Sequence, residues 1–493
     1  MGLDVIDSNA FFIAVALYFA AMTAVGAFFY RKNRNVSDYI LGGRKLGACV
    51  TSLSAEASDM SAWLLMGLPG LAYIAGSGAL WIVFGLIIGT YCNWKFVAGR
   101  LRRYTELAGD SLTIPDFLQN RFCSSSGTIR VLSAIFVLIF FVIYVSAGFV
   151  AGGKFFSLIL PISYTHAMLA TAIVTALYTL AGGFLAVCWT DSIQGIMMFF
   201  AVIAVPLLAV HHLGGTSATV HLLSVSGDGF LNPLRGANNQ ALSCMEIISM
   251  LAWGLGYFGQ PHILVRFMAV KEPSELPLAR NIAMCWVTLS LFAATTVGIL
   301  GRVWQGFHLD GANTENVFFL MSSRVCSKFF MCLILLGVLA TIMSTVSSQL
   351  LVASSSFSRD IYGIIRKHAP QGELLWISRL TVFVVSILAV ILAVNPGSYI
   401  LKIVGYAWAG FGACLGPALL FALFYRRTTE RGILAGILVG GVSVMVCKYS
   451  MPHVYEIIPA FLLSAVSIFV VTHLDGIPDR KILEIFDSVK KLN

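Results

Sequence analysis

The chain is a succession of unbroken apolar stretches, each about 20 residues long, joined by short polar connections. A run of that length crosses the hydrocarbon core of a bilayer as a helix. Backbone groups in lipid must be satisfied internally, so only helices or closed barrels can span. Barrel strands alternate polar and apolar residues, and these runs do not. Charged residues make up 11% of the chain, against about 25% in soluble domains, and 58% are hydrophobic. A soluble domain and a disordered chain are both excluded. The expected fold class is an all-α integral membrane protein with about thirteen transmembrane helices.

The spans are predicted at about 9–30, 46–74, 79–98, 129–153, 162–180, 188–212, 243–268, 281–302, 328–353, 378–395, 400–425, 431–449 and 455–473. Only Gly76, Ser77 and Gly78 mark the turn between the second and third. With the N-terminus outside, most of the 32 basic residues fall on the inside, among them Arg31, Lys32, Arg34, Arg102, Arg121 and Arg266. This bias explains the net charge of +9 without a nucleic-acid partner. The N-terminus lacks a basic leader region, so the first span is expected to remain in the mature protein. Ten scattered cysteines, none in a CxxC pair, imply neither a disulfide framework nor a zinc site. Residues 1–473 read as one transmembrane domain and 474–493 as a cytoplasmic C-terminal tail with apolar residues at helical spacing. The connections 213–242 and 303–327 are long enough for surface helices.

Three stretches break the apolar pattern. Residues 54–70, SAEASDMSAWLLMGLPG, place Glu56 and Asp59 at membrane depth beside Ser54, Ser58 and Ser61, followed by Gly67, Pro69 and Gly70. Carboxylates there are costly and face a bundle interior or a water-filled path. Small polar neighbours let a helix unwind and turn carbonyls towards a cation. In the seventh span, AWGLGYFGQPH holds Gly254, Gly256, Gly259 and Pro261 between Trp253, Tyr257 and Phe258, and loosens a second helix. It matches GxGxxG formally, but no strand precedes it, so a dinucleotide site is rejected. The two weak helices lie five spans apart, which fits two five-helix repeats of opposite topology, spans 2–6 and 7–11. In the ninth span, Ser344 and Thr345 follow Thr341 by three and four residues, so their hydroxyls lean towards its carbonyl. Two carbonyls from a broken helix nearby complete an oxygen shell of the kind hard cations prefer. The competing explanation for each stretch is plain packing: a kinked helix, or hydroxyls bonded to their own backbone.

DYILGGRKLG, ASDMSAWLLMGLPG, NWKFVAGRLR, GGFLAVCWTD, WGLGYFGQPHIL, MSTVSSQLL and YAWAGFGA closely resemble the motifs of the sodium/solute symporter family, from the first span through residue 470. The resemblance implies a LeuT-type inverted five-helix repeat. It implies sodium held by the carbonyls of Ala57, Met60 and Thr341 and the hydroxyls of Ser344 and Thr345, with Asp59 and Asp191 tied to coupling. Tyr144, Trp253, Tyr257 and Pro261 match positions around the substrate, with Ser61 and Gln349 as further members. Three positions depart from the family pattern: Glu56 replaces a small residue, Ala62 a glycine and Thr341 an alanine.

The function this implies is sodium-coupled symport of L-proline by alternating access, in the cytoplasmic membrane of a bacterium. The alternative is another small solute, such as a carboxylate, sugar or vitamin. Sodium is then a co-transported ligand and no cofactor is needed. The expected partners are L-proline, sodium and the lipid bilayer, with no nucleic acid and no obligate protein partner. The chain is not expected to be an enzyme: it has no Walker A motif, and the adjacent His211 and His212 read as surface residues. Glu56 and Asp59, three residues apart, share a helix face and do not both ionise easily in a poorly solvated place. Glu56 is expected to be protonated or to reach cytoplasmic water.

Overall fold

The spans interrupt one another's regularity only where the sequence supplies the means. The computed structural model describes residues 8–30, 36–225, 229–236, 240–304, 306–395 and 397–491. Arg31, Lys32 and Arg34, predicted on the inside, lie outside the described residues. Ten helical stretches are long and apolar enough to cross a membrane. The shorter apolar helices Tyr164–Leu180 and Cys244–Gly259, and the division of Trp63–Leu107 by a turn at Gly76–Ala79, bring the spans to the thirteen expected. Gly76 takes φ 57° there, in the left-handed region that favours glycine.

The second span comprises Ala48–Asp59, a wide π-type turn at Trp63–Gly67, and Leu68–Ala75. The third, from Leu80, widens again at Asn93–Val97 and continues to Leu107, beyond its predicted end at 98. Spans four to six are Thr128–Ile159, Tyr164–Ala181 and Phe184–His212. The seventh runs as Cys244–Leu251, a tight 3-10 stretch at Ala252–Gly259, and Pro261–Met268. Leu276–Val303 and Lys328–Ser355 are the eighth and ninth. The tenth starts at Gln371, before its predicted start at 378, with Pro370 at its N-cap and Gly372 tolerated in its first turn. Ile400–Phe424, Glu430–Ser450 and Ile457–Asp475 complete the set. Helices form in the two long connections, a largely exposed one at Thr216–Val225 and a largely buried one at Val317–Val325. The tail helix Arg480–Lys491 buries Ile482, Phe486 and Val489.

Spans two, four, seven, nine and eleven supply much of the buried centre. Between the third and seventh, glycine sets the approach. A Cβ on Gly254 would lie 2.2 Å from the Gly85 carbonyl, and one on Gly89 would lie 2.3 Å from the Gly254 carbonyl. The glycines that mimic a nucleotide motif are therefore packing positions. His211 and His212 are exposed, and the ten cysteines stand as thiols outside any disulfide. Several arginines assigned to the inside surface are buried: Arg121 donates to the Ala422 carbonyl at 3.1 Å and Arg102 to the Val270 carbonyl at 2.6 Å.

Candidate functional site

The second span stops being helical at Met60 (φ −76°, ψ 77°). The amide of Ser61 then donates to the carbonyl of Asp59, at 2.8 Å, and not to Ala57 four residues back. Ala57 thereby loses its expected helical donor. The ninth span fills the gap: Ser344 Oγ lies 2.8 Å and Thr345 Oγ1 3.3 Å from the Ala57 carbonyl oxygen. Ser344 Oγ is also 3.3 Å from the carbonyl of Thr341. The Thr341 hydroxyl turns back to the Gly337 carbonyl at 2.7 Å, leaving its carbonyl to face Ser344. Four of the five predicted sodium ligands thus meet at one buried point. The fifth, Met60, occupies the break itself. Oxygen atoms at the negative end of a half-helix suit a small cation.

Asp59 is the hub of the other predicted residues. Its Oδ2 accepts the Tyr257 hydroxyl at 2.7 Å, and its backbone carbonyl accepts Trp63 Nε1 at 3.2 Å and the Tyr144 hydroxyl at 3.4 Å. Trp253 lies 6.4 Å from Trp63, ring to ring, and stacks on Tyr455 at 5.4 Å. Tyr257 meets Trp408 edge-on at 5.0 Å. Ser61 is buried, its hydroxyl accepting the Trp63 amide at 3.5 Å. Gln349 is fully buried, and among the described residues neither of its amide atoms has a hydrogen-bond partner. Pro261 opens the second half of the seventh span and lines a cavity of about 20 Å³ with Leu351 and Ser355, room for one water.

Asp191 stands one turn from the oxygen cluster. Its Oδ2 accepts from Ser54 at 3.1 Å and Ser348 at 2.9 Å. Ser54 lies three residues before Ala57 and Ser348 three after Thr345. The carboxylate also pairs with Arg266 at 2.9 Å, with both side chains fully buried. Arg266 is therefore not an inside-surface residue: its guanidinium ties together Asp191, Ser54, Ser348 and the carbonyl of His262. Sequence reasoning missed this pair, and also Gln260 and His262. The His262 ring is buried, with no hydrogen-bond partner on either nitrogen among the described residues, 5.9 Å from the Tyr144 ring. The available signal was two polar residues flanking Pro261 inside an apolar span. Glu56, expected to be protonated or to reach cytoplasmic water, is 2% exposed and accepts from Trp94 Nε1 at 3.1 Å through Oε1.

Two helices broken at matching positions, with an oxygen cluster at one break, define a multi-pass membrane carrier of the LeuT type. A sodium-coupled sialic acid symporter, solved in a substrate-bound outward-open state, superposes with a TM-score of 0.80 over 95% of this chain and 98% of its own, at 17% identity. MhsT in complex with L-phenylalanine gives 0.53 over 86% and 97%, at 13% identity. The profile of the sodium:solute symporter family matches residues 39–440, and the chain belongs to that family. Among curated relatives, the high-affinity proline transporter PutP of Bacillus subtilis is 45% identical over 95% of this chain and 98% of its own. The sodium/proline symporter of Escherichia coli is 43% identical over 96% and 94%.

Proposed function

We propose that this protein is a sodium-coupled symporter that imports L-proline by alternating access. The observation that carries the proposal is the convergence of the Ser344 and Thr345 hydroxyls on the Ala57 carbonyl freed by the helix break. Ala57, Met60, Thr341, Ser344 and Thr345 hold the ion. Asp59 and Asp191 couple it to the rest of the bundle, Asp59 through Tyr257 and Asp191 through Arg266. Ser61, Tyr144, Trp253, Tyr257, Pro261 and Gln349 form the substrate surface. The positive end of the dipole of the half-helix that follows the break suits a carboxylate, and aromatic faces suit a pyrrolidine ring. Proline as the solute is supported by the relatives above, a proline transporter and a sodium/proline symporter.

Residues 1–473 form the transporter domain and 474–493 a cytoplasmic tail, with the N-terminus outside and the protein in the cytoplasmic membrane of a bacterium. One sodium ion crossing 100 mV releases about 2.3 kcal/mol. A tenfold gradient adds about 1.4 kcal/mol, so a neutral solute is concentrated roughly 500-fold. Uptake of labelled proline into proteoliposomes, with and without an imposed sodium gradient, tests the proposal. Uptake that ignores the gradient refutes coupling. Gradient-driven uptake of another solute, with no competition by proline, refutes the substrate.

A further inference from the structure

Where the tail helix Arg480–Lys491 docks, two arginines are taken out of water without an acid beside them. Arg121 ends the short helix Ile114–Arg121 and is 0% exposed. Its Nε donates to the Ala422 carbonyl at 3.1 Å, and its Nη1 reaches the Ile482 carbonyl at 3.5 Å. Its Nη2 is buried with no hydrogen-bond partner among the described residues. Arg100 is half-buried on the last stretch of the third span, Ala98–Leu107, and its Nε is in the same condition. So is the hydroxyl of Tyr104, one turn further along that helix and fully buried. Three groups able to donate stand there without an acceptor, whereas buried polar groups are nearly always paired.

The three converge on one ring. The guanidinium carbons of Arg100 and Arg121 lie 5.0 and 5.2 Å from the centre of the Phe486 ring, and the Tyr104 ring meets it edge-on at 6.3 Å. Phe486, on the tail helix, offers a π face to the two charges but no oxygen to the donors. Among the described residues, the electrostatic neighbours of Arg121 are Tyr104, Cys123 and Arg100, and that of Arg100 is Tyr104; none is a carboxylate. The acids of the same face are committed to other arginines: Glu106 to Arg102, Asp487 to Arg426 and Glu484 to Arg480, each at 2.7 Å. Arginine is almost never fully buried unless it is paired. The cluster therefore holds two positive charges and lacks an anion.

We propose that Arg100, Tyr104 and Arg121 form a binding site for a phosphate group, covered by Phe486 while the tail helix is docked and open when the tail lifts. A guanidinium pairs with phosphate through parallel N–H···O bonds, and two guanidinium groups aimed at one centre can share the oxygens of one phosphate. In the place of the ring, a phosphate accepts from Arg100 Nε, Arg121 Nη2 and the Tyr104 hydroxyl and neutralises the charge that the ring only screens. The cover is lightly tied. Its ion pair, Arg426–Asp487, has side chains 51% and 43% exposed, so water and salt weaken it. A phospholipid headgroup and free phosphate share this chemistry. The inference does not depend on which solute or ion the protein carries.

The test gives the purified full-length protein two probes in a phosphate-free buffer. Radiolabelled inorganic phosphate is followed by equilibrium dialysis. Phosphatidylglycerol is titrated in and counted by native mass spectrometry, with diacylglycerol as the phosphate-free control. Phe486→Ala removes the cover and leaves the donors, so it is expected to bind one phosphate group per chain, and the probe that binds identifies the source. The parent is expected to bind the same group roughly tenfold more weakly, because only the fraction with the tail lifted is competent. Adding Arg100→Gln or Arg121→Gln to Phe486→Ala should weaken binding by about tenfold or more. Arg100 is half-buried, so its variant reports on the site even where Arg121→Gln does not fold. Failure of both probes to bind Phe486→Ala overturns the proposal, as does binding that Arg100→Gln leaves unchanged. Tighter binding by the parent than by Phe486→Ala overturns the role of Phe486 as a cover.

Discussion

Thr345→Val removes one oxygen from the ion cluster while keeping the side-chain shape. Thr345 Oγ1 lies 3.3 Å from the Ala57 carbonyl, which retains the Ser344 hydroxyl at 2.8 Å. The carbonyl is therefore not orphaned, and the loss to folding is that of one long neutral hydrogen bond, about 0.5–1 kcal/mol. The loss to the ion is larger, because an oxygen facing a charge contributes about 1.5–3 kcal/mol. Since 1.4 kcal/mol is tenfold in an equilibrium, the sodium concentration for half-maximal uptake should rise roughly 10- to 100-fold. The assay is initial uptake in proteoliposomes against sodium concentration at saturating proline, with a thermal melt as the control for folding. A half-saturation within twofold of the parent's, in a protein that melts normally, refutes Thr345 as a ligand.

The buried pair gives a stability test. Arg266→Met leaves Asp191 charged and uncompensated and should cost about 3–5 kcal/mol, and Asp191→Asn with Arg266→Met should recover much of it, read as thermal melts of the parent and the two variants. Trp253→Ala removes the stack on Tyr455 and should weaken half-saturation by proline up to about tenfold while leaving that for sodium nearly unchanged, as separate titrations would reveal. Gly256→Ala puts a methyl group 1.9 Å from Trp408 Nε1 and should abolish recovery of folded protein, checked by monodispersity after extraction from the membrane.

The architecture was legible because its signals are local. A helix that breaks needs glycine, proline or small polar residues at the break, and both breaks announced themselves that way in 54–70 and 252–262. Helical spacing aimed Ser344 at the Thr341 carbonyl, whereas the acceptor that Ser344 and Thr345 share, Ala57, was implied only by the resemblance to the family. The Asp191–Arg266 pair was not, because its partners are 75 residues apart and an arginine near the end of an apolar run has the same appearance as an interfacial anchor. Trp94 as the partner of Glu56 was hidden for a similar reason: tryptophan in a span usually signals a membrane interface, and only the fold turns its indole inward. Pro261 illustrates the reverse case. Its effect on the backbone was clear from sequence, whereas the surface it lines depended on where the ninth span comes to rest.

The glycine seam between the third and seventh spans bears on how such a carrier can move. Where Gly85, Gly89 and Gly254 meet, carbonyl oxygens and α-carbons of the two helices touch with no side chains between them. Side-chain contacts can exchange rotamers during a motion, but a backbone seam has no such slack. The two helices therefore behave as one strut. The second and ninth spans meet through hydroxyls that can rotate off one acceptor and onto another. That joint is the freer of the two, and it coincides with the oxygen cluster proposed to hold the ion.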